Sequence, residues 1–172
     1  MMTKPIIIAI DGRCGAGKTT LANLLSAKLD CNIIHTDDFF LRPEQRTDTR
    51  LATPGENIDH ERFLEEVLIP LSKGLPVSFR PFNCHSMTLG NIIKLAPKHI
   101  NIIEGTYSCH LSLRKYYDYM VFLTVSKNEQ LQRIINREGR ERAKIFEEKW
   151  IPLEEAYFKT VEGIQWRCLK DF

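Results

Sequence analysis

The chain has 172 residues, of which 43% are hydrophobic and 27% are charged, and its formal net charge is +2. This length and composition are typical of one globular domain with a buried core, which excludes disorder as a description of the whole chain. The near-balance of charge argues against binding through a broad basic surface, so we predict no nucleic-acid partner.

The apolar runs and the cysteines exclude two further classes of protein. The longest apolar run, residues 6–10, is far shorter than the roughly 20 residues of a membrane span, so we predict no membrane association. The five cysteines are scattered without a C-x-x-C pair, which predicts reduced thiols and a cytoplasmic location. The Cys84–His85 and Cys109–His110 doublets are not expected to hold a metal ion, because adjacent residues rarely chelate one ion well.

The first predicted elements are a strand, a glycine-rich turn and a helix. Residues 5–10 are apolar without alternation, which is typical of a strand buried on both faces of a parallel sheet. Leucines at helical spacing over residues 21–29 predict a helix after the turn. A second short strand is predicted at residues 32–35.

The glycine-rich turn, residues 12–19, matches G-x-x-x-x-G-K-[ST] at every fixed position. In such a P-loop, backbone N–H groups point at phosphate oxygens and the following helix adds its partial positive charge. Lys18 is expected to reach the β- and γ-phosphates of ATP, and Thr19 is expected to bind Mg²⁺. The predicted nucleotide-binding residues of this segment are Gly12, Arg13, Cys14, Gly15, Ala16, Gly17, Lys18, Thr19 and Thr20.

The later elements continue an alternation of strands and helices. In chain order they are a loop at 42–58, an amphipathic helix at 59–74, an irregular hairpin at about 75–97, strands at 99–103 and 119–125, and a helix that starts at a capping box at 126–129. Residues 161–172 show no convincing pattern for a final strand. The alternation predicts an α/β fold, with a mostly parallel sheet and helices on both faces as in P-loop NTPases. We treat residues 1–172 as a single domain.

Acidic residues follow the predicted strands at the edge where ligands bind in open α/β sheets. Phosphoryl transfer to a hydroxyl needs one carboxylate facing that hydroxyl and another near Mg²⁺. Asp37 and Glu104 are the candidates for these two roles. A turn residue at Asp37 and a plain strand-end charge at Glu104 are the alternatives. Asp11 is expected to stabilise the P-loop rather than to take part in the chemistry.

Basic residues recur at helical spacing after the capping box. The residues concerned are Arg133, Arg137, Arg140 and Lys144, with Arg142 beside them. One interpretation is a solvated helix face. The other is a helical, arginine-rich lid at about 133–144 that closes over the phosphates, with Gly139 as its hinge and Arg137 acting in catalysis. The aromatic residues Phe146, Trp150 and Tyr157 beyond the lid are expected to pack in the core, and Pro152 is expected to kink their helix.

With these motifs the chain resembles the uridine kinase-like branch of P-loop small-molecule kinases, over about residues 6–158. The segments that carry the likeness are the P-loop, Asp37-Asp38-Phe39-Phe40, Asn57-Ile58-Asp59-His60, Pro81-Phe82-Asn83 with His85, Glu104-Gly105-Thr106-Tyr107, and Arg133 to Arg142. The resemblance implies ATP and Mg²⁺ as cofactors and a small-molecule acceptor. The implied site residues are Asp37 as the base, Thr19 and Glu104 at the metal, Phe40, Asp59, Phe82, His85 and Tyr107 at the acceptor, and Arg133, Arg137, Arg140 and Arg142 at the phosphates.

The chain also differs from that family pattern in its acceptor segments. Phe40 stands where the family has tyrosine, and Asn83 stands where it has aspartate. Asp59 is equally suited to be the N-cap of the helix that follows it.

We therefore predict an enzyme, a small-molecule kinase that transfers the γ-phosphate of ATP to a hydroxyl of a nucleoside-like or sugar-bearing acceptor. One alternative is a kinase for a non-nucleoside alcohol, such as a vitamin precursor or a sugar phosphate. Another is a nucleotide-binding regulatory module with weak ATPase activity. These motifs do not specify the acceptor, the choice between ATP and GTP, or the oligomeric state.

Overall fold

The computed structural model describes residues 4–161 and the backbone of residues 167–169. Its strands in chain order are β1 (Ile6–Gly12), β2 (Cys31–His35), β3 (Val77–Phe79), β4 (Phe82–Asn83), β5 (Thr88–Leu89), β6 (Ile93–Leu95), β7 (Ile100–Glu104), β8 (Tyr119–Leu123) and β9 (Arg167–Leu169). Five of them form one parallel sheet in the order β2-β7-β1-β8-β9. The strands predicted at 5–10, 32–35, 99–103 and 119–125 are all present, each with its ends within two residues of the prediction.

The helices surround this sheet. They are α1 (Lys18–Ser26), α2 (Asp48–Ala52), α3 (His60–Phe63), α4 (Ile69–Ser72), α5 (Lys127–Glu138), α6 (Arg140–Ile145) and α7 (Ile151–Thr160). Short 3₁₀ turns occupy Thr36–Phe39, Pro43–Gln45 and Arg114–Tyr116. The loop predicted at 42–58 therefore contains one short helix, α2, whose N-cap Thr47 accepts a hydrogen bond from the backbone N–H of Arg50.

Two π-helical turns, Leu64–Leu68 and Phe146–Trp150, connect α3 to α4 and α6 to α7. Each π turn ends just before a proline in the first turn of the next helix, Pro70 or Pro152. Because proline has no N–H to donate to the preceding turn, the helix is locally widened there. The kink expected at Pro152 thus takes the form of a π turn.

Apolar residues cover both faces of the sheet. On β7, Ile102 packs in a cluster with Leu21 of α1, whereas the adjacent Ile103 packs on the opposite side with Phe39 and Phe63. All five of these residues are nearly or fully inaccessible to solvent. Burial on both faces explains why these strands are continuously apolar. The prediction of a three-layer α/β fold is confirmed.

The prediction that residues 161–172 contain no final strand was wrong. The backbone of β9 pairs in parallel with β8, so that the sheet extends beyond it. A strand of three residues is too short to show a hydrophobic period, which explains why the sequence did not indicate it. Residues 162–166 and 170–172 lie outside the described part of the chain, and so does any contact they make with a nucleotide base.

The segment predicted as an irregular hairpin contains two short antiparallel pairs outside the parallel sheet, β3 with β6 and β4 with β5. Val77 and Phe79 of β3 are buried, and the Phe79 ring lies 5.0 Å from that of Phe39. The inner pair is therefore anchored in the core. The outer pair carries Phe82, which is also buried. None of the helices in the described part of the chain combines the length and the apolarity needed to cross a membrane.

Candidate functional site

A cavity of about 1080 Å³ opens where the strands β1, β2 and β7 end. The predicted site residues that line it are Cys14, Gly15, Ala16, Gly17, Lys18, Thr19, Thr20, Asp37, Phe40, Glu104, Tyr107, Arg133, Arg137 and Arg142. This is the edge of a parallel sheet at which ligands bind, because the strand ends and the helix N-termini meet there. Residues that are far apart in the sequence are thus brought to one place.

The P-loop is shaped by contacts that only glycine allows. Gly12 has a φ of +137°, and a Cβ atom added there would lie 2.0 Å from the carbonyl oxygen of Leu123. Within the loop, Lys18 Nζ donates to the carbonyl oxygens of Gly12, at 2.8 Å, and Arg13, at 3.1 Å. The lysine ammonium group therefore lies directly beside the loop that is expected to surround the phosphates.

Asp11 holds the P-loop from behind. Its carboxylate is fully buried, and it accepts hydrogen bonds from the backbone N–H groups of Gly12, at 2.7 Å, and Cys109, at 2.9 Å. The hydroxyl of Tyr157 donates a third bond at 2.8 Å. Burial raises the pKa of Asp11, although these donors and Lys18 act in the opposite direction. The geometry is that of a supporting residue, as the sequence analysis expected.

Glu154 of α7 is a second buried carboxylate that contacts the loop, and it also lines the cavity. It is not among the site residues predicted from the sequence. Only 4% of its surface is exposed, and its Oε2 atom accepts a hydrogen bond from the backbone N–H of Cys14 at 3.0 Å. Burial raises its pKa to about 7. In the sequence it lies in a charge-rich segment beside Glu155, so that nothing marks it as buried. With Tyr157, it ties α7 to the phosphate-binding loop.

A hydroxyl and a carboxylate lie side by side at the start of α1. The hydroxyl of Thr19 donates to Oε1 of Glu104 at 3.0 Å. Neighbouring oxygen ligands of an octahedral Mg²⁺ ion are about 3 Å apart, because each lies at 2.0–2.1 Å from the metal. The pair therefore fits the chemistry of Mg²⁺, as predicted for these two residues.

His35 completes this group, and the sequence analysis did not select it. The register of β2 on β7 aligns His35 with Glu104, and its Nδ1 lies 2.5 Å from Oε1 of Glu104. That hydrogen bond raises the pKa of His35, and partial burial offsets some of the effect. The register between two strands cannot be predicted from the hydrophobic pattern of the sequence, so this contact could not be predicted.

Asp37 lies on the 3₁₀ turn that follows β2 and faces the cavity. A Cβ atom added to Gly105 would lie 2.1 Å from the hydroxyl of Thr36 and 3.2 Å from Oδ1 of Asp37, so glycine is required beside the carboxylate. The surrounding protein raises the pKa of Asp37, although its carboxylate is still open to the cavity. Lys18 opposes this shift, and Glu104 adds to it.

The residues expected at the acceptor divide between two cavities. Phe40 and Tyr107 line the large one, and Tyr107 has a φ of 69°, a left-handed conformation that is uncommon for a tyrosine. Phe82 and His85 line a smaller cavity of about 360 Å³, which also reaches Asp37 and Phe40. Asp37 and Phe40 thus line both cavities, between the phosphate loop and the β4–β5 pair.

Asp59 lines neither cavity. Its Oδ1 atom accepts a hydrogen bond from the backbone N–H of Arg62 at 3.1 Å, so it is the N-cap of α3. The other oxygen, Oδ2, is buried and accepts no hydrogen bond from any residue that the structure describes, and Nε of Arg42 lies 3.6 Å away. The alternative that the sequence left open, a helix cap, is therefore present.

The arginines of the predicted lid face in different directions. Arg137 lines the cavity and its Nη2 atom lies 3.3 Å from Sγ of Cys14, while Arg133 donates to the carbonyl oxygen of Gly15 at 2.9 Å. Arg142 also lines the cavity, but Arg140 does not. Three of these four arginines therefore line the cavity, and two of them, Arg133 and Arg137, contact the phosphate loop. The basic helix face is thus only partly a solvated surface.

The sequence expectations for the aromatic residues and for Arg13 are refined by the structure. Phe146 packs against the buried cluster of Cys14, Ile134 and Ala143 as expected but also lines the cavity, and Trp150, which was expected in the core, lines the cavity. Tyr157 is buried as expected. The side chain of Arg13 points away from the phosphate face, because its Nε atom pairs with Glu155 at 2.6 Å. Only the backbone of Arg13 takes part in the loop.

Known proteins share both the sequence pattern and the fold. The model of the phosphoribulokinase/uridine kinase family matches residues 7–150. The uridine kinase of Ureaplasma parvum is 29% identical over 161 residues, which cover 86% of this chain and 76% of that protein. Human nicotinamide riboside kinase 2 is 33% identical over 134 residues, covering 72% and 54%. The structure of a possible uridine kinase from Bacillus stearothermophilus superposes with a TM-score of 0.72 at 23% identity, over 99% of this chain and 91% of the other.

Proposed function

The chain belongs to the phosphoribulokinase/uridine kinase family and is a small-molecule kinase, and from this we propose that it transfers the γ-phosphate of ATP to a hydroxyl of a nucleoside-like or sugar-bearing acceptor. The observation that carries the proposal is the position of Asp37. Its carboxylate lines the same cavity as Lys18 and the P-loop. A protein that only binds or hydrolyses ATP has no need of a carboxylate that faces an acceptor.

The phosphates would be held by the P-loop and by the arginines of the lid. The backbone N–H groups of residues 12–20 surround the start of α1, and Lys18 would exchange its bonds to loop carbonyl oxygens for bonds to phosphate oxygens. The cavity is also lined by Arg133, Arg137 and Arg142. These arginines would add positive charge where negative charge develops on the transferred phosphoryl group. Arg140 does not line the cavity and would not contact the phosphates.

Thr19 and Glu104 would hold Mg²⁺, in line with their 3.0 Å separation and their oxygen donors. When bound, this ion would neutralise negative charge on the phosphates. His35 would orient the Glu104 carboxylate, since its Nδ1 atom meets the same oxygen. The ordering of that carboxylate by a strand-to-strand contact supports its assignment to the metal.

Asp37 would accept the proton of the acceptor hydroxyl. The raised pKa, caused first by the surrounding protein, brings this carboxylate closer to the range in which a general base is effective. Only the ionised form accepts a proton, so activity is expected to fall as the pH decreases through the pKa of Asp37. The nearby Lys18 opposes this shift.

The acceptor would extend from Asp37 toward the smaller cavity beside the hairpin, where Phe82 and His85 lie. A sugar hydroxyl would meet Asp37, and a ring attached to the sugar would reach Phe82 and His85. Two of the relatives are named for uridine and for nicotinamide riboside, both of which consist of a ribose and a nitrogen heterocycle.

An acceptor panel tests this assignment. Purified protein with ATP and Mg²⁺ is assayed for ADP release with nucleosides, sugars, sugar phosphates and vitamin-precursor alcohols, and without any acceptor. We expect release that depends on a nucleoside or another sugar-bearing compound. Phosphorylation confined to other alcohols would refute the acceptor class, and acceptor-independent release would favour the regulatory alternative.

Two substitutions test the roles of individual residues. Asp37→Asn is expected to lower kcat by about 10²- to 10⁴-fold, the usual contribution of a general base, while ATP still binds. Asp48→Asn, at an exposed position on α2, is the matched control and should not change kcat. Lys18→Ala should remove the thermal stabilisation that ATP confers. Full activity of Asp37→Asn would contradict the assignment of the base.

A further inference from the structure

A cluster of two histidines and a glutamate lies outside the proposed kinase site. The carboxylate of Glu56 is bracketed by two imidazoles, with Nε2 of His60 3.0 Å from Oε2 and Nε2 of His110 3.3 Å from Oε1. The two rings are stacked, with their centroids 4.2 Å apart and an interplanar angle of 9°. One donor atom from each side chain falls within 4.8 Å of the others. The three side chains therefore converge on one point.

Two chain segments, residues 56–60 and the loop that carries His110, build this cluster. Glu56 precedes α3, His60 opens it, and His110 lies on the loop that follows β7. Gly55 has a φ of +86°, and a Cβ atom added there would lie 2.9 Å from the ring of Tyr157 and 3.3 Å from that of His110. The segment that carries Glu56 is thus pressed against α7 and the β7 loop. The cluster results from close packing and not from the flexible ends of surface side chains.

The outward-facing nitrogen of each histidine also has a partner. Nδ1 of His60 lies 3.4 Å from Oε2 of Glu61, and Nδ1 of His110 lies 2.9 Å from Oγ of Ser112. Histidines that bind metals usually donate their second N–H to a carboxylate or another oxygen, which orients the ring and increases its basicity. The backbone N–H of Ser112 also donates to Nδ1 of His110, at 3.4 Å. Both rings are thus held by polar contacts at Nδ1, with Nε2 turned toward Glu56.

The charges around the cluster suit a divalent cation. Partial burial and the neighbouring His60 lower the pKa of His110. Burial acts to raise the pKa of Glu56, but the hydrogen bond with His60 and the charges of His60, His110 and Arg50 together outweigh it, so the net shift is downward. Arg50 lies close by, with its Nη2 atom 2.6 Å from Glu61 and its Nε atom 3.6 Å from Oε2 of Glu56. The inward atoms are thus carboxylate oxygens and imidazole nitrogens.

We propose that Glu56, His60 and His110 form a binding site for a transition-metal dication, of which Zn²⁺ is the best match. Two imidazoles and a carboxylate are a ligand set that Zn²⁺ commonly takes, with a water molecule as the fourth ligand. Mg²⁺ prefers oxygen donors, so the site is chemically distinct from the pair Thr19 and Glu104. Binding displaces any protons on the two Nε2 atoms. The bound ion cross-links the segment that carries Asp59 to the loop after β7.

The sequence alone does not indicate this site. In the sequence His110 stands next to Cys109, and this doublet was not expected to hold a metal ion. The thiol of Cys109 is fully buried beneath the loop, and the imidazole beside it is directed to the cluster instead. The partners of His110 are about 50 residues away in the sequence, at 56 and 60, and only the fold brings them together.

The test uses the full chain, stripped of metals with a chelator and kept free of nucleotide. Calorimetric titration with ZnCl₂ is expected to give one site per chain, and MgCl₂ should produce no competing heat at that site. Co²⁺ is added as a spectroscopic probe, and it should give the intense visible bands of a four-coordinate ion. The absence of a stoichiometric Zn²⁺ site in the wild-type chain would overturn the proposal without any variant.

Variants then assign the ligands. His110→Gln and His60→Gln are each expected to weaken Zn²⁺ binding by more than about 100-fold, because loss of an outer-shell partner alone costs about 10- to 100-fold. His99→Gln removes a histidine at the opposite end of β7 and should bind Zn²⁺ as the wild type does. Circular dichroism shows whether each variant is folded. Undiminished Zn²⁺ affinity in both folded cluster variants would place the metal elsewhere and refute the assignment.

Discussion

Replacing Glu154 with glutamine tests how a buried carboxylate that contacts the P-loop affects the free energy of unfolding. The glutamine amide has nearly the same shape, and its oxygen can still accept the hydrogen bond from the backbone N–H of Cys14. What the substitution removes is the ability to ionise. The comparison therefore isolates the free energy of charging a group of which 4% is exposed.

The magnitude follows from the pKa of Glu154, which burial raises from 4.5 to about 7 in the folded chain. Between these two pH values the unfolded chain has lost the proton and the folded chain still holds it. Stability therefore decreases as the pH rises through this window, and it levels off above about pH 7. Each pKa unit corresponds to 1.36 kcal/mol, so the full penalty is about 3 kcal/mol at pH 8.

The assay is urea unfolding of the wild type and Glu154→Gln at several pH values between 4.5 and 8, without nucleotide or Mg²⁺. The variant is expected to match the wild type near pH 4.5 and to be more stable by about 3 kcal/mol at pH 8. Glu147→Gln, at an exposed position, is the control and should follow the wild-type curve. Parallel curves for wild type and Glu154→Gln would refute the reasoning, since the carboxylate would then ionise normally in the folded chain.

Four further substitutions test other contacts of the site. Arg137→Ala should lower kcat by about 10³-fold, the lower end of the effect of an arginine that stabilises a transferred phosphate. Arg140→Ala should have little effect, because Arg140 does not line the cavity. Equal losses of kcat in steady-state assays would contradict this distinction. Tyr157→Phe removes one donor to the buried Asp11 and should cost about 1–3 kcal/mol in urea unfolding, and an unchanged midpoint would show that the bond is dispensable. Gly105→Ala should lower the free energy of unfolding by at least about 2 kcal/mol, because its backbone conformation is strained for other residues and the added methyl would collide with the hydroxyl of Thr36. A variant with wild-type stability in urea unfolding and wild-type kcat would exclude that collision.

Local patterns in the sequence were sufficient for much of the fold and of the phosphate site. The P-loop could be predicted from residues 12–19 because its function depends on a short stretch of backbone with fixed spacing. Asp37 and Glu104 could be predicted because each directly follows a buried strand, and the ends of parallel strands meet at one edge. The structure places both at the cavity. Their roles in catalysis are proposals for experiment.

Contacts between distant segments could not be predicted in this way. The pairing of His35 with Glu104 depends on strand register, and a hydrophobic pattern specifies which face a residue occupies but not its exact neighbour. Phe146 and Trp150 lie on a π turn, which changes the direction in which side chains leave the helix. An apolar pattern in the sequence is compatible with a place in the core and with a place in the wall of a cavity.

The sequence by itself therefore determined the class of fold, the phosphate loop and the strand-end carboxylates, because each is specified by residues adjacent in the chain. The tertiary structure alone decided which arginines face the loop, that Glu154 contacts it, and that Glu56, His60 and His110 converge. These features arise when packing brings together side chains from separate elements, and no local period or spacing encodes the result.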